Sequence, residues 1–337
     1  SDQKYEAIFW DGMPDLNYNN PAVMTEMKSA GQFWLSDIGI DGFRLDAAKY
    51  LISSHQSATN HEDNAKLWSE FKQATQQAKP DSILIGEIWD SASIVGKYLT
   101  ALDSGFDFDL STKILSSVKG ETDAGIASSL ERTRSYFQTV SDTYEDSTFI
   151  TNHDMNRIMS ELNGDINHAK MAASLLLTLP GNPFLYYGEE IGLEGKKPDE
   201  HIREPMIWTP DEEDEIHSTW VNRIYSKNRD EIAVSVQEKK KDSLLNHYKT
   251  LIAVRRSHPT LMDGEIKASA IRTKGLVSFE RTLDNSKLLV LHNVSKEKLT
   301  ITLPEEMKDV YYSSESYAKK GQELTLSPYS TMIMEAK

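Results

Sequence analysis

Arg44 and Asp46 stand two residues apart at the end of an apolar run, Gly42-Phe43-Arg44-Leu45-Asp46. On a β-strand, residues two apart face the same side, so a permanent cation and a carboxylate project together. A carboxylate beside a guanidinium stays ionised, the state a nucleophile needs. Glu87 closes a second apolar run, Ser82-Ile83-Leu84-Ile85-Gly86-Glu87. Asp154 follows a third, Ser147-Thr148-Phe149-Ile150-Thr151-Asn152-His153-Asp154. Three strand-end carboxylates, Asp46, Glu87 and Asp154, make one candidate site.

Something must hold those strand ends on one side. The chain alternates strand and helix. Asn20-Pro21 opens a helix that runs to about Asp37. A strand at 41–46 precedes a helix at 62–79, and a strand at 83–88 precedes a short helix near 92–100. A strand at 105–110 precedes a long helix over about 111–138, and a strand at 147–151 precedes a helix at 165–178. A last strand, Phe184-Leu185-Tyr186-Tyr187, ends at Gly188-Glu189-Glu190, followed by a polar insert at about 193–242 and a helix near 243–257. Such alternation predicts a parallel sheet with right-handed crossovers, whose carboxyl ends carry the chemistry in a parallel α/β barrel. From about Leu261 the texture changes to short strands, with Asp284-Asn285 as a hairpin turn. Five core strands precede this antiparallel domain, where a complete barrel has eight.

Bulk composition narrows the partners. The 337 residues are 39% hydrophobic, and the formal net charge is -15. An acidic surface repels nucleic acid and anionic membranes, so neither is expected as a partner. The absence of cysteine excludes disulfides, zinc-thiolate sites and cysteine nucleophiles. No apolar stretch reaches membrane-spanning length; the run near Met171–Tyr187 is broken by Pro180, Gly181, Asn182 and Pro183. No signal peptide opens the chain, and its start resembles a cut inside a larger protein.

Together these motifs resemble the α-amylase family, glycoside hydrolase family 13, specifically bacterial α-amylases with oligo-1,6-glucosidase-like motifs. Met13-Pro14-Asp15-Leu16-Asn17 resembles the end of the family's inserted B domain. Gly42–Tyr50 resembles the nucleophile strand, Gly86-Glu87-Ile88-Trp89-Asp90 the acid/base strand, and Phe149–Asp154 the last catalytic strand. Gly181-Asn182-Pro183 with Tyr187-Gly188-Glu189-Glu190 is similar to the eighth strand. The fold implied is the C-terminal part of a (β/α)8 TIM barrel, strands 4 to 8, plus an antiparallel β-sandwich. The implied boundaries are 1–20 for the end of domain B, 21–260 for the barrel and 261–337 for the C-terminal domain. The family's third-strand Asn-His motif is absent, and Tyr50 stands where many relatives carry histidine.

The resemblance implies a retaining hydrolase of α-1,4-glucosidic bonds in starch or maltooligosaccharides. Retaining enzymes pair a nucleophilic carboxylate with a protonated carboxyl about 5–5.5 Å away. Asp46 is the expected nucleophile, Glu87 the acid/base with a proton affinity raised by burial and nearby carboxylates, and Asp154 the grip on the distorted sugar. His153 is expected to contact the same sugar. Arg44 orients Asp46, Asn152 and Arg157 position the Asp154 strand end, and Lys49 and Tyr50 line the leaving-group side. Trp89 is a candidate stacking platform, and Arg203 a candidate substrate contact. Asp211–Glu215 is expected to be a solvated acidic loop. Within the same chemistry an α-1,6-glucosidase or a transglycosylase stays open, as does a non-catalytic member. The resemblance also implies calcium, with ligands mostly outside this chain, so no metal ligand is assigned here. An N-terminal fragment of the same enzyme is the expected partner, since an open barrel exposes apolar sheet edges. Polymeric starch implies an extracellular enzyme; short maltodextrins leave the cytoplasm open.

Overall fold

The computed structural model describes residues 4–54 and 57–336. The first residues, Ser1–Gln3, lie outside the described residues. The chain divides into two compact units, one of residues 1–107 with 133–147, the other of 108–132 with 148–337.

In the first unit four parallel strands lie side by side in chain order: β1 (Gly42–Leu45), β2 (Ile83–Gly86), β3 (Ser104–Phe106) and β4 (Glu145–Thr148), the last residue of β4 belonging to the second unit. Register sets Arg44 beside Ile85 and Leu45 beside Gly86. Gly42 is required for this approach, because a Cβ there would lie 2.0 Å from the Ile83 carbonyl oxygen. The helix Pro21–Phe33 starts where expected: Asn20 accepts the Ala22 N–H at 3.1 Å and Pro21 takes the first turn. A wider π-helical turn, Trp34–Ile38, extends it to Gly39, whose φ of 83° ends the helix. The crossover helix His61–Ala78 buries Leu67, Trp68 and Phe71 against Leu45, Leu84 and Ile88. At 0% exposure, Asp146 is compensated by Arg134 at 3.2 Å.

The helix expected over 111–138 is two helices, Phe108–Gly120 and Ile126–Gln138. Glu121 and Gly125 take φ of 48° and 78° between them, and Asp123 caps the second by accepting the Gly125 and Ile126 N–H groups at 2.8 and 3.1 Å. In the second unit β5 is only Asn182–Pro183, so the strand expected at 184–187 is corrected. The Phe184 N–H reaches the Thr148 carbonyl at 2.7 Å, and Tyr186 then accepts the Glu189 N–H in a turn. Helix Ile166–Thr178 is buried over most of its length and packs with Leu244–Arg256.

Eight antiparallel strands follow: β6 (Glu265–Ala268), β7 (Leu276–Leu283), β8 (Ser286–Asn293), β9 (Leu299–Thr302), β10 (Met307–Ser313), β11 (Tyr317–Lys320), β12 (Glu323–Leu326) and β13 (Ser330–Ala336). They form two sheets, β10-β13-β8-β7-β6 and β11-β12-β9. The strands β7 and β8 join at Asp284-Asn285, as the sequence predicts. Alternation explains how β8 is buried on both faces: Leu289 and Leu291 join the core with Ile301, Leu324 and Met332, while Leu288 and Val290 pack with the helical core.

Candidate active site

The ends of β1 and β2 place two carboxylates on one cation. Beyond Leu45 the ladder continues: the Glu87 N–H donates to the Leu45 carbonyl at 2.9 Å and the Ala48 N–H to the Glu87 carbonyl at 3.1 Å. This brings Asp46 and Glu87 to neighbouring positions. Arg44 Nη1 pairs with Asp46 Oδ1, and Arg44 Nη2 with Glu87 Oε2 at 3.0 Å. The Glu87 Oε2 atom also accepts the Ala47 N–H at 3.1 Å. Ala47 holds a left-handed backbone, φ 46°, which a residue with a Cβ rarely adopts. The environments differ: the Asp46 side chain is 76% exposed, whereas that of Glu87 is 14% exposed.

Lys49 is buried, and its Nζ donates to the Trp89 carbonyl at 2.7 Å and to Asp90 Oδ2 at 2.8 Å. It therefore ties the turn after β1 to the turn after β2. Burial works to raise the Asp90 carboxyl, but Lys49 and the Ser91 N–H outweigh it and leave it below the usual range. Tyr50 is half-buried, its ring edge-to-face with Phe9 at 5.4 Å, and Trp89 is exposed.

The second unit carries the remaining group. Asn152 Oδ1 accepts the Asp154 N–H at 2.9 Å, fixing the turn. Arg203 Nη2 donates to Asp154 Oδ1 at 2.8 Å and to Asp199 Oδ2 at 2.9 Å, while its Nε donates to the His153 carbonyl at 2.9 Å. His153 Nε2 lies 3.4 Å from Asp154 Oδ2. Arg203 thus holds both His153 and Asp154. Arg157, expected to position the Asp154 strand end, is 1% exposed. Its guanidinium lies over the rings of Tyr186 and Tyr187, 4.6 and 4.7 Å away, and donates to the Tyr187 carbonyl at 2.6 Å. Its Nη2 lies 3.4 Å from the Glu204 carbonyl, so it joins the turn at Tyr187 to Glu204. Glu189 is buried; desolvation and the neighbouring Glu190 push its carboxyl up to about 8, so it is protonated at neutral pH.

No three His, Cys, Asp or Glu side chains converge on a metal position among the described residues. The acidic loop is largely exposed, and its carboxylates face separate partners: Asp211 accepts the Glu213 N–H, Glu212 pairs with Arg229, and Asp214 accepts from Thr209 and the Ile216 N–H. These residues do not fit a calcium site.

Residues 1–264 match the family model for the α-amylase catalytic domain. The chain belongs to the α-amylase family. Residues 276–333 match a second model, the C-terminal domain of the α-amylase SusG. Alpha-amylase 3 of Dictyoglomus thermophilum is 38% identical over 333 residues, covering 98% of this chain and 65% of that protein. The 4-alpha-glucanotransferase of Thermotoga neapolitana is 30% identical over 299 residues, covering 88% of this chain and 64% of that one. Among solved structures, the alpha-amylase from H. orenii superposes with a TM-score of 0.90 at 34% identity, covering 99% of this chain and 68% of its own. The chain therefore spans slightly less than two thirds of these two curated relatives. The fold is that of the α-amylase catalytic domain, a TIM barrel, followed by the antiparallel C-terminal domain.

Membership of the α-amylase family does not by itself disclose the Ala47 N–H, Asp90 or Asp199. Residue types give no sign of a left-handed alanine, because φ is set by the ladder on either side of it. The Lys49–Asp90 and Arg203–Asp199 pairs join residues on neighbouring turns or one helical turn apart. Only the second spacing, four residues, was available as a signal.

Proposed function

We propose that this chain carries the catalytic carboxylates of a retaining α-glucan hydrolase acting on α-1,4-glucosidic bonds of starch or maltooligosaccharides. The observation that carries this reading is the single guanidinium of Arg44 shared by Asp46 and Glu87 at adjacent parallel strand ends. Arg44 and the Ala47 N–H both donate to Glu87 Oε2, which leaves Oε1 to hold the transferable proton. In the first step Glu87 protonates the glycosidic oxygen while Asp46 attacks the anomeric carbon. The C–O bond breaks, the leaving sugar departs with the proton, and a glycosyl ester forms on Asp46. Glu87, now a carboxylate, takes a proton from water, which attacks the same carbon and frees Asp46. Asp154, held by Arg203, accepts hydroxyl hydrogen bonds that strengthen as the sugar flattens. His153 donates to the same sugar, and Tyr50 and Trp89 offer rings on the leaving-group side.

Transglycosylation is the second reading, favoured by similarity to a 4-alpha-glucanotransferase. It differs only in whether a sugar hydroxyl replaces water in the second step. An N-terminal part of the same enzyme is the proposed protein partner, and the polymeric substrate supports an extracellular location. No helix among the described residues is long and apolar enough to cross a membrane.

Maltoheptaose turnover followed by proton NMR tests the reading. The expected first product is the α-anomer, with short products from the outset, and Asp46→Asn or Glu87→Gln lowers turnover at least ~1,000-fold. A β-anomer as first product overturns the double displacement. Chains longer than the substrate appearing early favour transfer over hydrolysis.

A further inference from the structure

The helix His61–Ala78 turns two hydrogen-bonding side chains toward the loop that follows β1. Asn64 is fully buried and Trp68 is 7% exposed. Four residues apart, they stand one above the other on a single helix face. Asparagine is a weak helix former, and a buried amide is costly unless its polar atoms are paired. A helix that only filled the core would carry an apolar residue at position 64.

Both side chains aim at backbone rather than at other side chains. Asn64 Nδ2 donates to the carbonyls of Lys49, Ile52 and Asn60 at 3.0, 2.9 and 2.8 Å, and its Oδ1 accepts the Ile52 N–H at 3.0 Å. Two amide hydrogens thus serve three carbonyls. Trp68 Nε1 donates to the Ala48 carbonyl at 2.7 Å. Ala48 is itself fully buried, and its N–H donates to the Glu87 carbonyl at 3.1 Å. Ala48 is therefore pinned at both its N–H and its carbonyl, and Lys49 at its carbonyl.

Upstream, Arg44 pins Asp46. Ala47 lies between these fixed points and takes up the strain, at φ 46°. In that conformation its N–H donates to Glu87 Oε2 at 3.1 Å. An alanine freed from its neighbours returns to negative φ, because the left-handed region crowds its Cβ. That return turns the Asp46–Ala47 peptide and takes the N–H off Glu87. The grips on Ala48 and Lys49 oppose it.

We propose that Asn64 and Trp68 are positioning residues for the catalytic pair, holding Ala47 in its left-handed turn so that its N–H stays on Glu87 and Asp46 stays beside Arg44; this rests on the catalytic reading above. Losing the hold misplaces the reacting carboxylates without removing them, so kcat falls more than KM rises. Maltoheptaose turnover by the full chain tests this in a cycle that combines Trp68→Phe, which deletes the indole N–H, with Ala47→Gly, which relieves the strain. Trp68→Phe is expected to lower kcat ~30-fold with KM within ~3-fold of the parent. In the Ala47→Gly background the same change is expected to cost no more than ~3-fold, because glycine keeps a positive φ unaided. Hydrogen exchange followed by NMR gives a second readout. The Ala47 amide is expected to exchange at least ~10-fold faster in Trp68→Phe, while the Glu87 amide, held by the Leu45 carbonyl, keeps its parent rate. If Trp68→Phe does not fold, Asn64→Ser takes its place in both measurements. An equal loss of kcat in both backgrounds, or an unchanged Ala47 exchange rate, makes these residues packing groups and overturns the proposal. A parent chain with no turnover overturns the catalytic reading alone, and the exchange rates then decide this inference.

Discussion

Arg44 is the residue on which the candidate site turns, because its planar fork serves two carboxylates with two different nitrogens. Lysine, a point charge, cannot hold both in fixed directions. Arg44→Lys is therefore expected to lower kcat/KM by ~100-fold while leaving Tm within a few degrees, since Arg44 is a surface residue. Paired kinetics and calorimetry check this; a variant retaining more than half of wild-type kcat/KM would remove Arg44 from the mechanism. The Arg-x-Asp spacing made this pair legible in the sequence, because two-residue periodicity on a strand is local. The Arg44–Glu87 contact was not, since it depends on β1 and β2 pairing in register. Lys49 and Arg157 show the same limit. Both are buried, Lys49 on the Trp89 carbonyl and Arg157 on the Tyr187 carbonyl, contacts between turns that no local spacing announces.

At the scale of elements, short turns after the strands set the site, and their backbone signs were hidden from the sequence. Gly188 shows how tightly one is built. Its φ is 86°, and an added Cβ would lie 2.3 Å from Leu193 Cδ1 and 3.1 Å from Arg157 Nη1. Gly188→Ala is expected to destabilise the chain by ~2–3 kcal/mol, combining left-handed strain with a clash. It also presses on the Arg157 guanidinium that donates to the Tyr187 carbonyl. Urea denaturation measures the loss; an unchanged midpoint would show that the turn has room to relax. Helix starts such as Asn20-Pro21 and the Asp284-Asn285 hairpin were legible because capping and turn chemistry are local. The break between Gly120 and Gly125, and the loss of strand at 184–187, were not. The first depends on Glu121 and Gly125 taking positive φ, the second on Tyr186 turning back to accept the Glu189 N–H.

For the molecule as a whole, buried titratable groups in the second unit set how stability follows pH. Desolvation drives His292 down to about 3 and His247 down to about 4. His292 sits between the hydroxyls of Thr178 and Thr331 at 3.0 and 2.9 Å. The unfolded chain binds these protons from about pH 6.5 downward while the folded chain refuses them. Stability is therefore lost as pH falls below about 6.5, by up to about 1.4 kcal/mol per unit for each histidine. Glu189 has the opposite sign. Raised to about 8, it keeps its proton when folded, whereas the unfolded carboxyl has released it above about 4.5. Its contribution is fully present below about pH 4.5 and shrinks as pH rises to about 8. Between pH 4.5 and 6.5 two histidines oppose one glutamate, so stability still rises with pH; from 6.5 to 8 only the glutamate acts, so it falls. Among these three groups the maximum is near pH 6.5. Tm measured from pH 4 to 9 is expected to peak there, with His292→Gln flattening the acid limb and Glu189→Gln flattening the limb from 6.5 to 8. If both variants keep the parent's two slopes, the pH dependence arises elsewhere, with Asp146 and the ion pairs of the first unit the next groups to test.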